Sequence, residues 1–170
     1  ILALGSMPLA FTYPLMKRLT YWPQLFLGIT FNYGLILGWT AINGEVEIAP
    51  ILFYIGAIFW TLGYDTIYGY QDIKDDEIIG LKSTSIKFKG NAKKFLITCY
   101  SCLIFLFLLG GYLMKFDFKY LILLIFPIIH LFFYQIKNFN LNDSLGCLKI
   151  FKSNNLFGLI IFTTIILAKI

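Results

Sequence analysis

The sequence predicts an all-α fold, a multi-spanning transmembrane helix bundle. Hydrophobic residues make up 59% of the 170 and charged residues only 14%, against roughly 25% charged in soluble domains. The apolar residues gather in uncharged runs, several of them close to the 20 or so residues that cross about 30 Å of hydrocarbon. The basic residues that separate those runs are unevenly shared between alternate connections, as orientation in a bilayer requires.

Six runs emerge. The first is Ile1 to Met16, ended by Lys17 and Arg18, and the second is Trp22 to Ile42, ended by Asn43-Gly44-Glu45. The third, Ile48 to Tyr64, leads into a charged stretch, and Phe95 to Met114 follows that stretch without a charge. Tyr120 to Ile136 and Asn155 to Ala168 complete the set. With no segment resembling a soluble domain, residues 1–170 read as a single membrane domain. The chain opens on Ile rather than Met, directly into an apolar run without a signal peptide, which is expected of a piece of a longer protein.

Placing Lys17 and Arg18 on the cytoplasmic side puts eleven basic residues there, including Lys74, Lys82, Lys87, Lys89, Lys93, Lys94 and Lys137. Lys115, Lys119 and Lys169 remain for the other side. That bias accounts for the net charge of +5, so no nucleic-acid partner is expected.

The lesser motifs read as structure. Cys99-x-x-Cys102 has no second pair or nearby His to complete a metal site. His130, alone in an apolar run, is expected as a neutral packing residue. Asn142-Asp143-Ser144 matches a glycosylation sequon on the side where it would not be modified. Gly34-x-x-x-Gly38 makes a small-residue stripe that would let helices approach closely.

Chemistry concentrates in "YDTIYGYQDIKDDEIIGLKSTSIKFKG", residues 64 to 90, with five of the nine acidic residues and four of the fourteen basic ones. If the third span continues as one helix to about Ile79, Asp65, Asp72 and Asp76 lie within about 20 degrees on either side of one direction. Tyr68 and Gly69 fall on the same side, and Asp75 is about 80 degrees away. Like charges stacked this way repel and call for a compensating cation. A hard divalent ion such as Mg²⁺ suits carboxylate oxygens and keeps positions open for phosphates, with Lys82, Lys87 and Lys89 close by to add positive charge.

"YDTIYGYQDIKDDEIIGLKSTSIKF" closely resembles the second aspartate-rich motif of the 4-hydroxybenzoate polyprenyltransferases, members of the UbiA superfamily of intramembrane prenyltransferases. "YPLMKRLTYWPQLFLGITFNYG" resembles the segment two spans before it in that family. The resemblance covers residues 1 to 90; beyond Gly90 hydropathy and span count agree. It implies a nine-helix bundle, of which about six spans stand here, with a central cavity open to the lipid bilayer. Two aspartate-rich motifs there hold Mg²⁺ on a polyprenyl diphosphate, whose prenyl group passes to carbon 3 of 4-hydroxybenzoate in ubiquinone biosynthesis.

Carried over by residue, the resemblance makes Asp72 and Asp76 metal ligands, with Asp65 opening the motif and Asp75 a further candidate. Lys82 would contact the diphosphate or order the loop over it, while Tyr68, Tyr13, Lys17 and Arg18 would face the substrate. It implies an integral protein of a bacterial or mitochondrial inner membrane, with the charged loop on the cytoplasmic or matrix side. No NDxxDxxxD segment, the family's first motif, occurs here. The chain is therefore expected to be the C-terminal two-thirds of a longer prenyltransferase and inactive alone. The alternatives are a non-catalytic membrane remnant, a lipid- or subunit-binding protein, or a prenyltransferase with another aromatic acceptor.

Overall fold

The computed structural model describes residues 2–169, and the described residues form helices and connecting turns without a strand. The first apolar run is helical but interrupted. Helix α1 (Leu2–Thr12) passes into a 3-10 turn at Tyr13–Leu15, which holds Pro14, and then into α2 (Met16–Leu19). Proline cannot donate to the helix ladder, so the chain tightens there rather than running on. This run is thus not a continuous span among the described residues. Among the described residues, five helical stretches are long and apolar enough to cross a membrane.

The first of these joins α3 (Pro23–Phe31) to α4 (Tyr33–Asn43) across Asn32. The Asn32 amide donates to Gly28 O at 2.8 Å, Ala57 O at 3.2 Å and Thr61 Oγ1 at 2.8 Å, so the break is pinned to the next helix. That helix, α5 (Ile48–Tyr68), is the central strut and packs along α8 (Ala92–Leu113), α3 and α11 (Ser144–Lys152). Its small residues allow the approach. A Cβ on Gly63 would lie 2.5 Å from the Tyr100 ring, and one on Gly56 would lie 2.7 Å from Phe107. The expected Gly34/Gly38 stripe has no such role, since an added Cβ at either meets nothing within 4 Å.

Between α5 and α8 stand two short helices, α6 (Ile73–Ile79) and α7 (Thr84–Lys87). After α8 come α9 (Phe118–Leu123), α10 (Ile125–Ile128) and a π-helix at Ile129–Ile136. Pro127, which lacks an N–H, sits just before the widened turns. The chain closes with α11 and α12 (Asn154–Lys169).

A buried polar network crosses the apolar core. Asn154 Oδ1 accepts from Trp60 Nε1 at 2.8 Å and from Gln135 Nε2 at 3.0 Å, and Gln135 Oε1 accepts from Tyr100 OH at 2.5 Å. Four elements are locked by groups that would otherwise be unpaired away from water. The lesser motifs prove to be packing and capping groups. His130 is buried against Phe157, with Nε2 3.3 Å from Ser153 Oγ. Cys99 and Cys102 are free thiols, and Asp143 caps α11 by accepting from Gly146 N at 2.9 Å.

Candidate functional site

The charged stretch is not one continuation of α5. The helix stops at Tyr68, and residues 69–72 turn before α6 begins. Gly69 caps the helix and leaves room for α7: a Cβ there would run into Ser85 Oγ, which donates to Thr66 O at 2.8 Å. Thr66 and Thr84 hydroxyls meet at 2.6 Å, and Thr84 N donates to Gln24 Oε1 at 3.0 Å. Ser83, Thr84 and Ser85 are almost wholly buried, so "STS" is a polar knot that ties α7 to the end of α5 and to α3. Gln24, Thr66 and this triad are positioning residues that the sequence alone does not single out. Their signal was a run of small hydroxyl side chains able to cap a helix, and Ser83 Oγ does accept from Ile86 N at 3.2 Å.

The break divides the acidic face. Asp76 lies on α6 and is buried, with its carboxylate 3.6 Å from Lys17 Nζ. Asp65, still on α5, borders a cavity of about 240 Å³ with Tyr13, Pro14, Lys17, Pro23, Gln24 and Leu27. Asp72 and Asp75 border a second cavity of about 310 Å³ together with Gln71, Lys74, Lys89 and Ser144. Lys17 borders the first cavity beside Asp65 and also reaches Asp76, so one lysine serves both acids. Lys17 therefore supplies part of the compensating charge that the acids require. Gly80, at φ 77°, takes the left-handed turn that ends α6, and Leu81 N then bonds to Asp76 O at 2.9 Å.

Other candidates are distributed differently from expectation. Tyr68 stacks on Phe151 with ring centroids 4.6 Å apart, on the side of α5 that meets α11. Trp60 and Tyr64 precede it in one aromatic row toward Phe157 and Phe151. Lys82 Nζ donates to Leu19 O at 3.3 Å, and its backbone N–H donates to Lys17 O at 2.8 Å, joining the two charged segments. Arg18 is exposed. Lys87 lies over the Trp22 ring at 4.6 Å, and Lys89 pairs with Glu77 at 2.8 Å while bordering the cavity of Asp72 and Asp75.

Among the described residues, no three His, Cys, Asp or Glu side chains are grouped to hold a metal ion. The donors beside the second cavity are nonetheless hard oxygens. Asp72 and Asp75 are exposed carboxylates, and the neighbouring Gln71 Oε1 is buried without a hydrogen-bond partner. That chemistry suits Mg²⁺ as part of a ligand set.

A bundle of apolar spans, with acids and a lysine gathered at one end, defines an integral membrane protein with a charged site at one end of its helices. The chain belongs to the UbiA prenyltransferase family, which it matches over residues 1–161. The 4-hydroxybenzoate geranyltransferase 2 of Lithospermum erythrorhizon is 44% identical over 99% of this chain and 55% of its own length. The mitochondrial 4-hydroxybenzoate polyprenyltransferase of Bos taurus is also 44% identical, over 99% of this chain and 46% of its own. The corresponding protein of Arabidopsis thaliana is 39% identical over 99% and 42%. Similarity thus extends past Gly90, and the chain spans about half the length of these curated relatives. The apo structure of a UbiA homolog from Aeropyrum pernix K1 superposes with a TM-score of 0.82 at 22% identity, over 99% of this chain and 63% of that one. That likeness is one of fold.

Proposed function

We propose that this chain is the C-terminal part of a Mg²⁺-dependent membrane enzyme that moves a polyprenyl group from polyprenyl diphosphate to 4-hydroxybenzoate. Family membership and the names of its relatives support the reading. The observation that carries it is the presence of Asp65 and Lys17 together on a cavity otherwise walled by Tyr13, Pro14, Pro23, Gln24 and Leu27, with Lys17 paired to Asp76. Such a site accepts a molecule with a charged head and an oily tail.

Asp72 and Asp76, with Asp65 and Asp75, would hold the metal together with acids from a segment beyond this chain. When bound, Mg²⁺ neutralises charge that builds on the departing diphosphate. Lys17 balances Asp76 and Asp65, and Lys82 fixes the loop over the site by bonding to Leu19 and to the Lys17 backbone. As the allylic C–O bond breaks, its electron pair leaves with the diphosphate. Tyr13, which borders the Asp65 cavity, offers an aromatic ring to the resulting cation. Carbon 3 of the acceptor ring then forms the new bond and loses its proton. The acid-bearing loops face the cytoplasm or matrix, where both substrates are charged.

The test is a transfer assay in membranes with labelled 4-hydroxybenzoate, a polyprenyl diphosphate and Mg²⁺. The longer protein containing this chain forms prenylated product and stops when the metal is chelated, whereas the 170-residue chain alone forms none. Absence of product with the longer protein, across donor lengths, contradicts the assignment.

A further inference from the structure

A second charged feature adjoins the cavity of Asp72 and Asp75, with which it shares Lys89 and Leu141. A cavity of about 560 Å³ opens where α8 begins and the π-helix ends, bordered by Lys89, Lys93, Lys94 and Lys137 with Asn138 and Asn140. No carboxylate borders it, and among the described residues Lys93, Lys94 and Lys137 form no ion pair. Inward-facing positive bias explains why lysines occupy these connections, but not why lysines distant in sequence, from two connections, surround one hollow.

The hollow sits at a definite depth. One apolar stretch ends at Ile136, directly before Lys137, and Lys93 and Lys94 open the first turn of α8. One helical turn deeper on the same faces the surface becomes apolar: Ile97 is 43% exposed and Phe133 67% exposed. Positive charge thus stands directly above exposed hydrocarbon-like surface. A free polar anion has no use for the lower half of such a site, and an apolar ligand has none for the upper half.

We propose that this cavity binds the phosphate headgroup of an anionic phospholipid, with its acyl chains lying along α8 and the π-helix. Clustered lysines at the edge of a bilayer attract anionic lipid at a strength that makes each worth roughly fivefold in affinity, hence about a hundredfold for three. The site does not depend on the prenyl-transfer reading, because none of Lys93, Lys94 and Lys137 takes part in that chemistry.

The test is lipid retention. Protein is reconstituted in vesicles of equal parts phosphatidylcholine and phosphatidylglycerol, extracted in mild detergent, and its co-purifying lipid measured by native mass spectrometry. Phosphatidylglycerol is retained over phosphatidylcholine, about a hundredfold less tightly in the Lys93→Gln, Lys94→Gln, Lys137→Gln variant. The same three positions changed to Arg keep the lipid, which separates loss of charge from loss of fold. Lys115→Gln with Lys119→Gln, at the other end of the bundle, leaves retention unchanged. Inorganic phosphate added in excess fails to displace the lipid. Equal retention of the two lipids, an equal loss from the Lys115/Lys119 variant, or displacement by inorganic phosphate overturns the proposal, the last by marking a free-phosphate site.

Discussion

At the scale of single residues, the site is organised as much by small side chains as by acids. Asp65, Asp72 and Asp76 were legible in the sequence because carboxylates are rare in so apolar a chain. The separation of Asp65 and Asp72 into different cavities was not, because a helical period carried through Gly69 reads as unbroken until the neighbour that crowds Gly69 is known. That neighbour, Ser85, is 16 residues away in sequence, and no local pattern reveals the contact. Gly63 makes a similar demand in the core. Gly63→Ala drives a methyl into the Tyr100 ring, which is fully buried and cannot swing aside without losing Gln135. The variant should lose about 1–3 kcal/mol of stability, measured by thermal unfolding in detergent, as overpacked cores do.

At the scale of helices, length and composition marked the five long stretches, but the last begins well before the expected Asn155, at Ser144, because α11 precedes α12 in it. The first apolar run misled because hydropathy does not register the tightening around Pro14. The Gly34/Gly38 stripe misled because spacing alone does not place a partner opposite it. Inter-helix polar ties were also hidden: Gln135, Asn154, Trp60 and Tyr100 are spread over 95 positions and meet only in the folded bundle. Gln135→Leu removes the acceptor of Tyr100 and a donor to Asn154, at a cost of about 1 kcal/mol in a membrane bundle, readable in the same unfolding assay. Gln24→Leu cuts the tie from α3 to Thr84. It should raise amide hydrogen exchange across residues 81–90 while leaving exchange in α8 unchanged. Unaltered exchange in that loop would show that α7 is held by other contacts.

At the scale of the molecule, three basic connections meet at one end of the bundle. Lys82 bonds back to Lys17, Ser144 Oγ donates to Gln71 O at 3.0 Å, and Lys89 and Lys137 border one cavity. The sequence anticipated this gathering from charge bias alone, since alternate connections of a multi-span chain share a side. The chain spans about half the length of its relatives, which is why the acids here are proposed as one portion of a ligand set. The central claim is that these acids hold the metal on which prenyl transfer depends. The most direct measurement is Mg²⁺-dependent transfer by the longer protein carrying Asp72→Asn and Asp76→Asn, with its folded amount in membranes held equal to the parent. Loss of turnover by about a hundredfold or more is the expected result, as for removal of a principal electrostatic stabiliser; turnover equal to the parent's contradicts the account.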